Sequence, residues 1–492
     1  MYYIAIDLGT TNIKVSFYNN RFEQLSQRSH TVVYDRSGNF VEFDAKAYSD
    51  HVLHLIRMVL EDVSVREHDA IYCVGLTGQA ESLVILDAAG IPLRKGISWL
   101  DNRSIEECKE LSKVFPESID FSVTGQQAII PTWPITKMLW IKRHEPDIFH
   151  KAAKYLLLKD YINYRLTGLF CGEYSIYNFS HYFDIRKKSY WLDILNYVGI
   201  NMNQLPQLQP SGSYYKGILP ESALMSGLPE NTIVNLGTLD HFASMIGTNS
   251  YLKNRVSVSL GTVLSMAMLT DTDAFEQSLL PVHCGTIADS YIYLPVCESG
   301  AISLSWFVEQ ISSIDGYNDL NDNCNSQEPS PNLVFLPYLT GSNSPENISS
   351  AKGVFFGLTV DVNRYQMAIA VMEGVACLIR KNMEYSNNFD PDTIIVVTGG
   401  GAKSDYWCQI IANITGHTVA VPQNSEAACL GTAILCAVCN GVYNSISQAA
   451  DSCVKIKKYY SPDTNMNTFY NEKYNLFLRV FEAVLPLFNI NT

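Results

Sequence analysis

A glycine–threonine turn occurs twice in this chain of 492 residues, about half a chain apart. The first copy is Gly9-Thr10 and the second is Gly261-Thr262. Alternating apolar residues enter and leave each turn, which predicts a β-hairpin in each half. Glycine lets a ligand approach the backbone, and turn amides and threonine hydroxyls donate hydrogen bonds to anionic oxygens. The repeat therefore predicts a duplicated domain in which both halves hold a polyphosphate.

The two copies differ at the position two residues before the glycine. The first copy has Asp7 there, whose carboxylate suits a hydrated Mg²⁺ ion, and the second has Ser259. Gly9 and Thr11 extend the candidate phosphate cradle of the first half. Lys14 either adds positive charge to that cradle or solvates the end of a strand. The two halves are therefore not expected to be equivalent.

Composition restricts the class of protein. The length favours two or more domains, and 47% hydrophobic with 17% charged residues is typical of a globular enzyme. The net charge of −14 argues against nucleic acid or an anionic membrane as the partner, although local amides and Mg²⁺ still allow an anionic nucleotide. The longest uncharged apolar stretch, residues 427–439, is too short to span a bilayer. No secretory leader is recognised, so we expect a cytoplasmic protein with reduced thiols.

Cys436 and Cys439 form a CxxC pair that invites a zinc or redox interpretation. The flanking residues are apolar and no second ligand pair lies nearby in the sequence. We therefore expect both thiols to belong to the core of a helix.

The remaining chain alternates strands with amphipathic helices, and its domain break is predicted at residues 247–254. Helices are predicted at residues 46–61, 103–114, 135–144, 157–166 and 364–386, and strands at 31–34, 71–77, 83–87, 232–236 and 393–397. Two polar or proline-rich stretches, residues 199–230 and 312–331, are predicted to be loops.

Asp240 is the candidate general base. It follows a predicted strand and comes shortly before the domain break, where a hydroxyl held by one domain could meet a phosphate held by the other. A positioned base contributes about 10²–10⁴ in rate. The alternative is a helix N-cap, because a helix is predicted from Phe242 and Asp is a preferred cap. The second hairpin, about twenty residues further on, favours the base.

A glycine-rich turn at residues 398–404 connects a strand to a helix, which is a favourable place for a nucleotide. No GxxxxGK[ST] motif occurs in the chain, so this turn is not a P-loop.

With these motifs in order, the chain resembles the FGGY carbohydrate kinases throughout its length, within the larger superfamily of actin, hexokinase and the Hsp70 ATPase. The resemblance is carried by residues 7–14 and 259–262 (phosphate motifs), 398–407 (adenosine motif), 353–373 and 133–140 (family signatures) and 335–341. Thr132 is unusual at the first position of the signature that ends at residue 140.

The resemblance implies an α/β fold with two ribonuclease-H-like domains around an interdomain cleft, at residues 1–248 and 249–492. It implies an enzyme that transfers phosphate from ATP to a sugar or polyol, with Asp240 as the base and Asp7 and Asp240 on the Mg²⁺ ion. The predicted nucleotide- and phosphate-binding residues are Gly9, Thr10, Thr11, Lys14, Gly261, Thr262, Gly400, Gly401, Ala402 and Asp405. Relatives are frequently dimers, so a homodimer is possible.

Substrate specificity is less constrained. Within the family, residues 137–149, 157–160 and 351–359 resemble xylulokinases. After Gln79, however, xylulokinases carry Met-His, whereas this chain carries Ala80-Glu81. Glycerol kinases carry Arg-Glu at these positions and therefore share the Glu. The block around Asp101 is closer to gluconate kinases.

The predicted substrate-binding residues are Gln79, Ala80, Glu81, Asp101, Trp133, Asp240 and His241, the last standing where xylulokinases usually have Asn. Glu81 and His241 have ordinary alternatives, as a solvated side chain and as a partner of a nearby carbonyl. Trp133 is either core or pocket wall.

The leading hypothesis is an ATP-dependent kinase of a ketopentose, with D-xylulose as the leading candidate. A kinase of another ketose, a polyol, gluconate or a linear autoinducer-type sugar remains an alternative. From another class, a non-catalytic sugar or ATP sensor would be expected to lose Asp7 or Asp240, and both are present.

Overall fold

The computed structural model describes residues 1–63, 72–270, 280–287, 289–297, 299–386, 389–424 and 426–488. The chain forms two compact units, which are described separately. The first unit contains Met1–Asn249, Val282–Tyr291 and Glu426–Val454, and the second contains Ser250–Pro281, Ile292–Ser425 and Lys455–Thr492. The segment Glu426–Val454, predicted from the sequence to belong to the C-terminal domain, thus packs in the first unit.

Five strands precede the first helix, and the other strands and helices are interspersed along the described residues. The strands are β1 Tyr2–Leu8, β2 Asn12–Tyr18, β3 Gln24–Thr31, β4 Asp35–Ser37, β5 Phe40–Phe43, β6 Tyr72–Gly78, β7 Leu83–Leu86, β8 Gly96–Ile97, β9 Lys154–Leu157, β10 Cys171–Glu173, β11 Phe183–Asp184, β12 Ser189–Tyr190, β13 Gln207–Gln209, β14 Tyr214–Lys216, β15 Ile233–Leu239, β16 Arg255–Leu260, β17 Leu264–Thr270, β18 Val282–Cys284, β19 Tyr291–Tyr293, β20 Val296–Cys297, β21 Val334–Leu336, β22 Val354–Phe356, β23 Ile394–Thr398, β24 Thr418–Pro422 and β25 Ile456–Tyr460. The helices are α1 Ala45–Val63, α2 Ile105–Val114, α3 Glu117–Thr124, α4 Pro134–His144, α5 Pro146–Lys151, α6 Leu158–Thr167, α7 Tyr174–Tyr177, α8 Leu192–Val198, α9 Pro220–Ser226, α10 Asp240–Gly247, α11 Ile302–Trp306, α12 Gly316–Cys324, α13 Arg364–Ser386, α14 Asp405–Thr415, α15 Ala427–Cys439, α16 Ile446–Cys453 and α17 Asn467–Phe488.

The main sheet of the first unit has the strand order β14-β15-β6-β1-β2-β3. Along β1, large apolar side chains alternate with smaller or polar ones, so the two faces of the sheet differ. Ile4, Ile6 and Leu8 lie on one face, fully buried in a core that also contains the apolar side of α1. The alternation in the sequence therefore determines which face of the sheet holds the large core.

The opposite face of this sheet is covered by α15, because small residues let the helix lie close. A Cβ on Gly75 would lie 2.6 Å from Thr432 Cγ2 and 2.7 Å from Cys436 Sγ. Cys436 is fully buried, as the core interpretation of the CxxC pair predicts, and Cys439 is partly exposed. Among the described residues no cluster of three or more His, Cys, Asp or Glu side chains could hold a metal ion.

Helix α15 also contacts α10 through two glycines, Gly431 and Gly247. A Cβ on Gly431 would lie 1.8 Å from the carbonyl oxygen of Ala243, and one on Gly247 would lie 1.9 Å from that of Ala427. This close contact fixes the helix that begins with Asp240.

Replacing Gly431 by Ala is expected to lower the free energy of unfolding by about 1–3 kcal/mol, because the added methyl group overlaps the backbone of α10. In an open helix the same change stabilises by about 1 kcal/mol, so the sign of the effect is diagnostic. Urea unfolding of the variant and the parent protein measures it. A variant that is more stable than the parent would contradict the close helix contact.

The second unit repeats the strand arrangement of the first. Its main sheet contains β17-β16-β23-β24-β25 in that order. In both units the first strand of the hairpin pairs antiparallel with the next strand and parallel with a later one, β1 with β2 and β6, and β16 with β17 and β23. The two predicted hairpins are confirmed.

Three local predictions were wrong and one lies partly outside the described residues. The stretch 199–230 contains α9, where Pro220 occupies the first helical position, at which proline favours a helix. The stretch 312–331 contains α12, which buries Leu320 and Cys324 on one side. The strand predicted at residues 31–34 does not form, since β3 already ends at Thr31, the first residue of that range. The strand predicted from residue 71 begins at Tyr72, and residue 71 is not among the described ones.

Candidate active site

Four polar side chains of the first unit lie in one row across the main sheet. Asp7 of β1 pairs with Lys14 of β2 and with Thr77 of β6, and Thr77 pairs with Thr238 of β15. Directly paired residues point to the same face, so these side chains share the face that α15 covers. Asp7 therefore lies near the carboxyl end of β1. In this row, Thr77 separates it from Thr238, which lies next to the last residue of β15.

The end of β15 is displaced by a β-bulge, which sets the position of Asp240. Between Asn235 and Thr238 the strand has one residue more than β6. Gly237 occupies the bulge with φ +65°, and its N–H donates a 2.7 Å hydrogen bond to Asn235 Oδ1. A Cβ on Gly237 would lie 1.6 Å from the carbonyl oxygen of Leu76, so no larger residue fits. Bulges re-aim side chains beside active sites, and this one directs the start of α10.

Asp240 is the first residue of α10, two residues before the predicted start, and Leu239 occupies the N-cap position. The carboxylate of Asp240 does not cap the helix: Oδ1 accepts a 2.6 Å hydrogen bond from the neighbouring N–H of His241. The N-cap alternative is therefore wrong, and the carboxylate keeps acceptor capacity for a ligand.

Burial raises the pKa of both acids at this end of the sheet. The pKa of Asp240 rises to about 6, opposed by the His241 N–H and the charge of Lys159. The pKa of Asp7 rises to about 7 through burial and then through the charge of Asp240, opposed by Lys14. The two carboxylates therefore feel each other, and both titrate far closer to neutrality than ordinary aspartates.

The buried ion pair between Lys159 and Glu173 was not predicted from the sequence, and the charge of Lys159 acts on Asp240. Lys159 Nζ donates to Glu173 Oε1 (2.6 Å) and to the carbonyl of Leu236 (2.9 Å), and both side chains are almost fully buried. Glu173 also accepts from Ser175, whose hydroxyl lies 2.9 Å from Thr238 Oγ1. Lys159 thus ties α6 to the bulged strand. The charged Lys-Asp pair at 159–160, within an apolar run, was the signal that could have revealed it.

The predicted phosphate residues of the first hairpin are held by surrounding aromatic and amide groups. Trp99 Nε1 donates a 2.9 Å hydrogen bond to Thr10 Oγ1, and Tyr34 donates to the Thr10 carbonyl at 3.0 Å. Gln79 Nε2 donates to the carbonyl of Gly9 at 3.3 Å. Thr11 is exposed. The turn is therefore anchored to the candidate substrate residue Gln79 by a direct hydrogen bond.

Lys14 forms an ion pair with Glu426, at 2.7 Å from Nζ to Oε2. Burial opposes its charge, but the hydrogen bond and charge of Glu426 outweigh burial and raise the pKa of Lys14. Its ammonium group is thus fixed near the row of Asp7.

The turn after β6 carries Glu81, a non-glycine residue with φ +68°. Ser82 closes the turn through its N–H to the Ala80 carbonyl (2.8 Å) and its hydroxyl to Gln79 Oε1 (2.9 Å). Burial raises the pKa of Glu81 to about 8, and the charge of Lys137 opposes this shift. The left-handed backbone costs about 1–3 kcal/mol, which the fixed turn has to offset.

Lys137 is fully buried in α4 and was not predicted as a site residue. Its Nζ donates to the carbonyl oxygens of Ser98 (2.9 Å) and Thr132 (2.8 Å). Burial lowers its pKa to about 8, opposed by the charges of Glu81 and Asp101. Lys137 therefore joins the segments that carry the candidate substrate residues. Its presence in the 133–140 signature was the available signal.

Asp101 is fully buried and its carboxylate is engaged within the protein. It accepts from Arg103 Nε (2.8 Å) and Nη2 (2.7 Å) and from the N–H of Val41 (2.6 Å). These contacts suit a residue that positions the segment 99–103.

Trp133 is 6% exposed, donates from Nε1 to the Ala128 carbonyl (2.9 Å) and stacks on His181. The Trp133 ring therefore packs mainly against other residues and keeps a small exposed edge.

Two neutral histidines lie close to each other in the first unit. Burial lowers the pKa of His241 to about 4; burial and then the charge of His241 lower that of His283 to about 3. His283 stacks on Phe179 at 4.5 Å and contacts Gln126 Nε2 at 3.4 Å. His283 was not predicted as a site residue, because it stands far beyond His241 in the sequence, in a segment that returns to the first unit.

In the second unit, the hairpin with Gly261 and Thr262 is held by the segment that follows β20. Ala301 N–H donates to the Gly261 carbonyl at 2.7 Å, and Gly300 N–H donates to the Thr262 carbonyl at 3.2 Å. The side chain of Thr262 is exposed. This arrangement leaves the threonine hydroxyl on the surface of the second unit.

The glycine-rich turn of the same unit follows β23 and precedes α14. A Cβ on Gly401 would lie 2.4 Å from Leu260 Cδ2, whereas one on Gly400 would meet no atom within 4 Å. Ala402 follows in a short 3₁₀ turn. The exposed Asp405 accepts from Lys458 Nζ (2.5 Å) and Tyr460 (2.6 Å), and these hydrogen bonds lower its pKa.

The repeated strand arrangement and the two glycine–threonine hairpins define a two-domain α/β kinase fold of the actin and hexokinase type. Residues 2–247 match the N-terminal domain, and residues 256–439 the C-terminal domain, of the FGGY family of carbohydrate kinases. The chain belongs to this family and is a phosphotransferase that acts on a sugar hydroxyl, for which the family uses ATP as phosphate donor.

Similar proteins include kinases of different acceptors. The chain is 28% identical over 488 residues to the xylulose kinase of Bacillus subtilis, covering 98% of this chain and 96% of that protein. It is 26% identical over 464 residues to the gluconokinase of Bacillus subtilis, covering 92% and 90%. The crystal structure of xylulose kinase from Rhodospirillum rubrum shares the fold with a TM-score of 0.92 at 22% identity, covering 99% and 100%. Of the helices in the described ranges, none is both long and apolar enough to cross a membrane.

Proposed function

We propose that this protein transfers the γ-phosphate of ATP to a hydroxyl of a ketopentose, with D-xylulose as the leading acceptor. The observation that carries the proposal is the placement of Asp240 directly after the bulge of β15, in the same sheet edge as Asp7. The likeness to xylulose kinases over the whole chain supports the choice of acceptor.

Asp240 acts as the general base in this proposal. Its pKa of about 6 leaves it ionised at neutral pH while keeping it a better proton acceptor than an ordinary aspartate. The Lys159–Glu173 pair and the His241 N–H hold the end of β15 and the carboxylate, so the base is oriented before the acceptor hydroxyl arrives.

Asp7 is proposed to hold a hydrated Mg²⁺ ion with Asp240. Asp7 Oδ1 is buried and accepts no hydrogen bond from any residue the structure describes, which fits a site for a water-mediated cation. Mg²⁺ commonly uses one or two carboxylates together with phosphate oxygens. When bound, the ion neutralises charge on the transferred phosphate.

Each of the remaining predicted residues is proposed to serve either the nucleotide or the acceptor. Phosphate and nucleotide contacts are proposed for Gly9, Thr10, Thr11 and Lys14 in the first unit and for Gly261, Thr262, Gly400, Gly401, Ala402 and Asp405 in the second. Acceptor contacts are proposed for Gln79, Ala80, Glu81, Trp133 and His241, with Asp101 positioning its segment.

An ADP-release assay with Mg·ATP tests the proposal. The acceptors are D- and L-xylulose, D- and L-ribulose, erythrulose, glycerol, erythritol, gluconate and a linear autoinducer analogue. Selective turnover of D-xylulose is expected. Selective turnover of another acceptor would assign Ala80, Glu81 and His241 to that specificity, and tight ATP binding without any turnover would support the sensor alternative.

The rate of phosphorylation is expected to depend on pH through Asp240. Because the base must be ionised and its pKa is raised to about 6, kcat should fall about tenfold per pH unit below that value and level off above it. A pH profile from about 5 to 8 at saturating substrates measures this. The residual rate of Asp240→Asn should fall less steeply below pH 6 than that of the parent protein, because only the titration of Asp7 is then left. A parent profile that is flat through pH 6 would contradict the assignment.

A further inference from the structure

The lysine of the first hairpin lies between two acids of the first unit. Lys14 pairs with Asp7 across the strands, at the second residue pair from the turn at residues 9–11. Its Nζ donates a 2.7 Å hydrogen bond to Oε2 of Glu426, which is 412 residues away in the sequence. Burial opposes the charge of Lys14, but the hydrogen bond and charge of Glu426 and then the charge of Asp7 raise its pKa. Two carboxylates therefore share one positive charge.

The carboxylate of Glu426 does not cap the helix that follows it. Glu426 occupies the N-cap position of α15, but its side chain accepts no capping hydrogen bond. Glutamate is not among the preferred N-cap residues, so the helix does not require this residue type. The side chains of Lys14 and Glu426 are 33% and 23% exposed, and an anion can therefore reach the pair from solvent.

Nucleotide phosphates would use the same positive charge as Glu426. The phosphate contact proposed for Lys14 brings anionic oxygens to an ammonium group that Glu426 already partly neutralises. Like charges in close contact repel, and they do so more strongly where water is partly excluded. The charge of Glu426 also acts on Asp7, whose pKa is raised by burial, Asp240 and Glu426 and lowered by Lys14. The field of Glu426 therefore extends to the row of Asp7.

We propose that Glu426 is a counter-charge built into the phosphate site, which shares Lys14 with the nucleotide and thereby lowers the affinity for ADP. This inference rests on the proposed function, because it assigns phosphate to Lys14. Weaker binding of the product favours its release, which limits kcat in many enzymes. Glu426 thus acts on the nucleotide and not on the acceptor.

Calorimetric titration of the full-length protein with Mg·ADP tests this role. Glu426→Gln removes the negative charge but keeps a carbonyl oxygen that can accept from Lys14, so the lysine stays oriented. We expect Mg·ADP to bind about 5- to 50-fold more tightly to this variant at an ionic strength of about 0.02 M. The gain should shrink at about 0.5 M salt, because salt screens the interaction between charges. Unchanged or weaker binding, or a gain that salt does not reduce, would overturn the proposal.

Glu61→Gln is the matched control. Glu61 is an exposed glutamate of α1, and removing its charge should leave the dissociation constant of Mg·ADP unchanged. If Glu426→Gln does not fold, Glu426→Ser places a preferred cap at the start of α15 and should also tighten binding. A parent protein that does not bind Mg·ADP would overturn this inference. Nucleotide binding with the expected effect of Glu426→Gln, but without phosphoryl transfer to any acceptor, would refute the proposed function alone.

Discussion

Replacing Asp240 by Asn is expected to lower kcat for sugar phosphorylation by about 10²–10⁴-fold while nucleotide affinity changes little. The amide keeps the size of the side chain and an oxygen that can accept from the His241 N–H, so the start of α10 is preserved. It cannot take a proton from the acceptor hydroxyl. ADP release measures kcat, and a nucleotide titration with a thermal unfolding curve measures binding and folding.

Asp193→Asn is the matched control for this substitution. Asp193 is an exposed acid in the first turn of α8, so the change alters charge at a helix start without approaching the site. It should leave kcat unchanged. If Asp240→Asn loses less than about tenfold in kcat, or loses nucleotide binding to the same extent as kcat, Asp240 has a structural role and is not the general base.

Replacing Gly237 by Ala is expected to lower the free energy of unfolding by about 2–5 kcal/mol. Two effects add: the alanine must adopt φ +65°, and its Cβ would lie 1.6 Å from the carbonyl oxygen of Leu76, so β6 or β15 must shift. The shift would move the end of β15, and we expect the folded fraction of the variant to lose most of its kinase activity. Urea unfolding and ADP release measure the two effects.

Gly38→Ala separates the two contributions. Gly38 has a similar φ of +57°, and a Cβ there would meet no atom within 4 Å. It should cost only the backbone strain, about 1–2 kcal/mol, with activity intact. Equal losses in both variants would refute the close approach at the bulge. If Gly237→Ala does not fold, Asn235→Ala removes the side chain that accepts from the Gly237 N–H and should show a smaller loss of stability and activity.

The hairpins and the candidate base could be predicted because their signals are local. The alternation at residues 4–8 and 256–260 requires strands whose two faces differ, and a turn of Gly and Thr requires a hairpin. Asp240 is predicted as the base in the same way, from its place after an apolar strand, and this assignment stays a prediction. The proline-rich stretch 199–230 was misassigned because proline marks the first turn of a helix as well as a loop, and only the residues after the proline distinguish the two.

The partners of buried charges could not be predicted, since they are distant in the sequence. Lys159 contacts the carbonyl of Leu236, 77 residues away, and Lys137 contacts that of Ser98, 39 residues away. Burial of these amino groups depends on how α4 and α6 pack, and no periodicity records which carbonyls they reach. His283 and α15 lie in the first unit for a similar reason, because contacts with Phe179 and Gly75 determine their positions.

By itself, therefore, the sequence determined the two hairpins and the family, because strand periodicity and turn chemistry act over a few residues. It also predicted Asp7 and Asp240 as the acids of the site, and that assignment stays a prediction. Tertiary structure alone decided the bulge at Gly237, the unit to which Glu426–Val454 belongs and the pKa values of the acids. These properties depend on which distant groups remove water and bring charge near each carboxylate, and such groups come together only when the chain has folded.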